Sequence, residues 1–207
     1  MPTTPCPNDP AATFEDILQE AAELIRTGGI DAVSTRAVAA AAGVQPTVIY
    51  RLFGDKKQLL DAVTHFVFQN YLAEKRRVIA AVADPLQELE QMWDLHVDFG
   101  LTHPQCYLLA YVHSRPGKMS ACAAQSLGLL REVVARLGNQ GRLRVGVERA
   151  TFLLRSAAMG VVLALISLPA HQRDLRISRV LRDSTLGTIV HTDVELQTGS
   201  PDLPPTR

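Results

Sequence analysis

Residues 34–56 read STRAVAAAAGVQPTVIYRLFGDK, and this stretch decides the fold class. Ser34 or Thr35 is a hydroxyl side chain of the kind that caps a helix start. The alanine-rich run that follows is a strong helix former, and it continues to Ala42. Gly43 then stands where the chain must turn, with the positive φ that a Cβ-bearing residue adopts only at a cost. Pro46 suits a first helical turn, so a second short helix is predicted from Pro46 to Phe53, stopped by Gly54. Val38, Val44, Ile49 and Leu52 supply apolar contacts between the two helices. Ala39 is small where the second helix crosses the first.

Two short helices at this spacing form a helix-turn-helix, whose second helix can enter the major groove of DNA. The pattern leaves Gln45, Thr47, Val48, Tyr50 and Arg51 facing outward. Gln pairs bidentately with adenine and Arg with guanine, and a Thr or Val methyl touches a thymine methyl. Tyr50, the capped helix start at Ser34 and Thr35, Arg36 and Lys56 are placed to hold phosphates.

Charge is less telling. The 207 residues carry 21 basic and 21 acidic side chains, a formal net charge of zero. Residues 34–57 alone hold four basic residues against one acid, Asp55, so a field attracting phosphate would be local. Hydrophobic residues make up 47% of the chain, enough for a core and too many for wholesale disorder. Three widely spaced cysteines, Cys6, Cys106 and Cys122, suit a reducing cytoplasm rather than a disulfide framework. The opening MPTTPCPNDPAAT lacks a secretory pattern. The charge-free stretch Ser156–Gln172 is short and interrupted by Pro169, which argues against a membrane span.

Working outward, the chain reads as all-α, about nine helices punctuated by Pro and Gly. Residues 1–12 are expected to be a disordered arm. Thr13 is expected to cap the first helix in a capping box with Asp16, and Gly28-Gly29 to end it. Asp55, with Gln58, is expected to cap a long fourth helix reaching Asp84-Pro85. Further helices follow over about 86–102, 105–114, 118–137, 147–168 and 174–190, and residues 196–207 form a disordered tail.

In this setting residues 13–63 resemble the DNA-binding domain of the TetR family of bacterial transcriptional regulators. Ser34, Ala39, Ala42, Gly43, Val44, Thr47, Tyr50, Phe53, Lys56 and Leu59 fit the family pattern. Leu52 departs from it, because family members often carry His or Tyr there for a phosphate contact. Pro46 is tolerated but removes a backbone donor. The resemblance implies a three-helix reading domain over 13–54 and a helical ligand-binding and dimerisation domain over 55–195. It implies a homodimer on a double-stranded operator, a repressor released by a small-molecule effector, no cofactor and no membrane association.

Dimerisation is expected through the last two helices, where Ser156, Ala157, Ala158 and Gly160 allow close approach among large aliphatics. Met92, Trp93, His96, Phe99, Tyr107, Tyr111, His113 and Met159 are candidates to line an effector pocket, combining apolar bulk with hydrogen-bonding tips. They suggest an apolar or aromatic, weakly polar effector. His103, Cys106, His113 and Cys122 lack the compact second pair of a metal site, and no metal is expected. Phosphate-loop, nucleophile-elbow and zinc-helix motifs are all absent, which disfavours an enzyme. The remaining alternative is an all-helical interaction module that binds no DNA.

Overall fold

The computed structural model describes residues 10–112 and 119–191, and among these the chain forms nine α-helices and no strand. They are α1 (Pro10–Ala32), α2 (Thr35–Ala41), α3 (Pro46–Phe53), α4 (Lys56–Ala81), α5 (Pro85–Thr102), α6 (Pro104–Tyr111), α7 (Ala121–Asn139), α8 (Val147–Ile166) and α9 (Arg176–Ile189). The contacts divide the chain into two compact units, Met1–Leu72 with Thr102–Cys122, and Ala73–Leu101 with Ala123–Arg207.

The first unit is built around α1, α2 and α3. Ile17, Leu18, Ala21, Ala22 and Ile25 recur at helical spacing on one face of α1, and all are buried. Val33, Val38, Ala39, Ile49, Phe53, Leu59 and Val63 complete this core, and Phe14 stacks on Phe53 at 5.2 Å between ring centroids. Two expectations are corrected. The first helix opens at Pro10, so Pro10–Ala12 are helical rather than part of an arm, and Thr13 lies inside the first turn rather than capping it. Proline is well suited to a first turn, because the N–H it lacks has no partner there in any helix. Residues 1–9 and 192–207, where the rest of the arm and the tail were placed, lie outside the described residues.

The second unit contains most of α5 and α7, all of α8 and α9, and the end of α4. Leu89, Met92, Trp93, Val97, Val133, Val134, Leu137, Leu154, Val161, Val162, Leu165, Leu186 and Ile189 are buried. α8 and α9 pack together. Polar ties hold the helices at defined positions. Trp93 Nε1 donates to Ser178 Oγ at 2.9 Å, joining α5 to α9. Glu88, fully buried on α5, is held by the Arg136 guanidinium of α7. Arg142 pairs with Asp84, and Arg182 with Asp94. By length and composition α8 alone among the described helices is apolar enough to cross a membrane. Here it is amphipathic in a quieter way, with Ala150, Leu154, Ala158, Val161 and Leu165 buried and Phe152, Ser156, Gly160 and Ala164 exposed.

Candidate nucleic-acid interface

Three local devices set the angle between α2 and α3. Ser34 is the cap of α2. Its Oγ accepts from Ala37 N at 3.0 Å, and its extended backbone (φ −128°, ψ 156°) is that of an N-cap. Thr35 is the first helical residue. At the other end Val44 N donates to Ala39 O at 2.9 Å and Gly43 N to Ala40 O at 3.4 Å. This pair of reversed bonds closes the helix with Gly43 in the left-handed region, φ 66°. A Cβ at Gly43 would meet nothing within 4 Å, so glycine is required there by the backbone and not by crowding. Ala39 on α2 and Ile49 on α3 are each about 1% exposed, so a larger side chain at 39 finds no room in the close-packed interior.

The first turn of α3 is open. Gln45 N-caps it without a side-chain bond, and Pro46 occupies its first turn. Gln45, Pro46, Thr47, Tyr50 and Arg51 are exposed, Tyr50 to 55%. Ser34, Arg36 and Lys56 are exposed too, and Thr35 is half-buried. Val48, expected outward, and Leu52, expected in the core, are both half-buried. Thr35 Oγ1 donates to Tyr50 Oη at 3.2 Å, tying the start of α2 to the outer face of α3. Gly54 (φ 75°) ends α3, and Asp55 Oδ1 accepts from Gln58 N at 2.8 Å to open α4. The amide of Gln58 approaches the Asp55 carboxylate at 3.5 Å instead of reaching back to the Asp55 backbone as a capping box would. Lys56, next in sequence, is left facing solvent.

The residues chosen as effector contacts are distributed between the units. In the first, Tyr107 is fully buried and its ring lies 4.7 Å from that of Tyr111, which also meets Phe68 at 5.7 Å. In the second, Met92, Trp93, His96 and Phe99 are buried along α5, and Met159 on α8 is half-buried. His113 lies outside the described residues. The sequence reading overlooked Lys75, Ser126 and Arg155, which stand near His96. Lys75 Nζ donates to Ser126 Oγ at 2.9 Å. Burial pushes the Lys75 ammonium down to about 7. Burial holds His96 well below the usual imidazole range, and the positive charges of Lys75 and Arg155 lower it further. Lys75 stands in the charged run Glu74-Lys75-Arg76-Arg77, which reads as a solvated face, so nothing in the sequence signals that it is buried. Burial has the opposite effect on Cys106, whose thiol is raised to about 11, an inert core cysteine. Among the described residues no group of three His, Cys, Asp or Glu is placed to hold a metal ion.

A capped α2, a glycine turn and an exposed, polar α3 define a helix-turn-helix protein. Residues 17–63 match the family model described as bacterial regulatory proteins, tetR family. No curated protein matches the chain significantly. Among solved structures, a protein with unknown function from Rhodococcus sp. RHA1 is 17% identical, with 91% of this chain and 100% of that one covered at a TM-score of 0.74. The transcriptional regulator FadR from Bacillus subtilis, solved in complex with stearoyl-CoA, is 16% identical over 85% of this chain and 99% of its own, TM-score 0.68. A putative transcriptional regulator from Saccharomonospora viridis, in complex with choline, is 14% identical over 89% and 100%, TM-score 0.71. At these identities the likeness is one of fold.

Proposed function

We propose that this chain is a ligand-responsive, DNA-binding transcriptional regulator acting as a homodimeric repressor. The observation that carries the reading is the outer face of α3, where Gln45, Thr47, Tyr50 and Arg51 stand exposed on a helix held by Gly43 and Ala39, inside the matched segment 17–63. Gln45, Thr47 and Arg51 read base edges in the major groove, and Ser34, Thr35, Arg36, Tyr50 and Lys56 hold phosphates. Pro46 brings the start of α3 close to the duplex. Residues 13–54 form the reading domain and 55–195 the regulatory one.

Two copies associate through α8 and α9. Phe152 on α8 and Ile177, Val180 and Leu181 on α9 are exposed, with Val180 at 63%. Ser156, Gly160 and Ala164 follow Phe152 at four-residue steps, an open path for a second helix. A symmetric operator calls for such a pair of reading helices. The effector binds among the helices that follow α3; solved structures of this fold include a regulator in complex with stearoyl-CoA and a putative one in complex with choline. Its binding moves α4, which runs without a break from Lys56 to Ala81, and changes the separation of the two reading helices. The protein is thus a binding protein of the cytoplasm rather than an enzyme.

Duplexes selected from a random-sequence pool by the full-length chain give the operator. Its affinity is then measured with and without saturating effector, and equal affinities overturn the coupling. Failure of the pool to yield any preferred duplex overturns the regulator reading itself and favours an interaction module.

A further inference from the structure

Four helices of the second unit bring nitrogen bases and a hydroxyl to one buried place: Lys75 from α4, His96 from α5, Ser126 from α7 and Arg155 from α8. Lys75 is 4% exposed, His96 7% and Ser126 4%. Arg155 Nε is buried without a hydrogen-bond partner, a donor that the fold leaves unsatisfied. Lys75 and Arg155 both lie close enough to His96 for their charges to act on its ring. A buried Arg155 Nε–H with no acceptor from the described residues is a donor that an oxygen of a ligand's carboxylate would satisfy. The same helices carry Met92 and Phe99 within one turn of His96, and Met159 one turn beyond Arg155, as an apolar flank.

A cleft of about 530 Å³ opens between α4 and α7, lined by Ile79, Ala80, Gly128 and Leu129, with Arg76 and Glu132 among its polar residues. Ile79 follows Lys75 by one helical turn and Leu129 follows Ser126 by one turn, so the cleft and the Lys75–Ser126 contact share the same pair of helices. Its size suits a small organic ligand.

We infer that the effector is an organic acid with an apolar body, whose carboxylate is held by Lys75 and Arg155, with Ser126 and His96 completing the polar end of the site. The inference rests on the proposed effector response and makes its chemistry specific: an anionic head in place of a weakly polar one. Arg155 supplies the unused Nε–H and Lys75 the compact charge, a pairing that distinguishes a carboxylate from an alcohol or ester of the same shape. The apolar flank recognises the rest of the molecule by burial.

The test uses the full-length protein and two matched pairs of probes, decanoate with 1-decanol and 2-naphthoate with 2-naphthalenemethanol, titrated by calorimetry at pH 7. At least one acid is expected to bind tenfold or more tightly than its alcohol. Lys75→Met and Arg155→Met are each expected to remove that preference while leaving alcohol binding unchanged, and Lys75→Arg to keep it. Circular dichroism and thermal unfolding establish that the variants are folded, and Arg155→Met carries the comparison if Lys75→Met is not. If neither acid outbinds its alcohol, or if the preference survives both Met substitutions, the inference is overturned. Operator binding is measured on the same samples. Intact DNA binding with no acid preference removes the anionic effector alone, whereas acid binding without any operator removes the regulator reading.

Discussion

Thr35 and Tyr50, fifteen positions apart, meet through a 3.2 Å hydroxyl–hydroxyl hydrogen bond that joins the first turn of α2 to the exposed face of α3. The contact orients the phenol while leaving its ring open to solvent. Because it is exposed, its worth to stability is small. Tyr50→Phe is expected to leave the melting temperature nearly unchanged and to weaken operator binding by about 1 kcal/mol, roughly fivefold, through the lost phosphate bond. Fluorescence anisotropy with a labelled duplex measures the second quantity and thermal unfolding the first. An equal loss in both would mean that Tyr50 serves the fold instead.

Arg51 tests base reading separately. Its substitution by Ala is expected to cost roughly 1–3 kcal/mol on the preferred duplex and little on an unrelated one. A uniform loss on both duplexes would make Arg51 a phosphate contact.

Gly43 bears on the angle between the helices. Its φ of 66° lies in the left-handed region, and no neighbour stands where a Cβ would go. Gly43→Ala therefore isolates backbone strain, and a destabilisation of about 1–2 kcal/mol is expected by urea unfolding. A neutral result would show that the turn relaxes without cost.

The second unit contains a more expensive contact. Glu88 is fully buried, and the Arg136 guanidinium engages its carboxylate. Removing one partner of such a pair leaves a charge that burial penalises, so Arg136→Met is expected to lower stability by about 3–5 kcal/mol. The double variant Glu88→Gln/Arg136→Met should recover much of that loss. Equal effects from single and double variants would contradict the pairing.

Lys75 makes stability depend on pH in a definite direction. Its folded pKa of about 7 lies below the ordinary 10.5, so between these values the unfolded chain holds a proton that the folded chain does not. Stability therefore rises with pH across this window, by up to about 1.4 kcal/mol per unit. His96, also depressed, acts in the same sense but only below its ordinary 6.5. Urea unfolding at pH 7.0 and 8.5 should show the rise in the wild type and a flatter response in Lys75→Met. Identical slopes would mean that Lys75 stays charged in the fold.

The self-association proposed for α8 and α9 depends on an exposed aliphatic face. Val180→Asp is expected to yield a monomer by sedimentation at concentrations where the wild type is dimeric, with helix content retained.

What the sequence determined by itself is local. Ser34 before an alanine run, Gly43 at the turn, Pro46 at a helix start and Asp55 before Lys56 each act through bonds to residues a few positions away, so their reading needs no partner from elsewhere in the chain. The all-α class follows from the same short-range logic, and so does the exposure of Gln45, Thr47 and Arg51. The limit showed at the amino end, where Thr13 had the right chemistry for a cap but Pro10 opened the helix earlier. Tertiary structure decided everything that depended on distant pairing. Trp93, a plausible pocket wall by type, is a core residue whose indole N–H is satisfied by Ser178, 85 positions on. Arg136 finds Glu88 across 48 positions, and Lys75 finds Ser126 across 51. No periodicity marks such partners, because which face of a helix meets which neighbour is set by the packing of the whole unit. That is why the buried grouping of Lys75, His96, Ser126 and Arg155 was invisible until α4, α5, α7 and α8 were brought together.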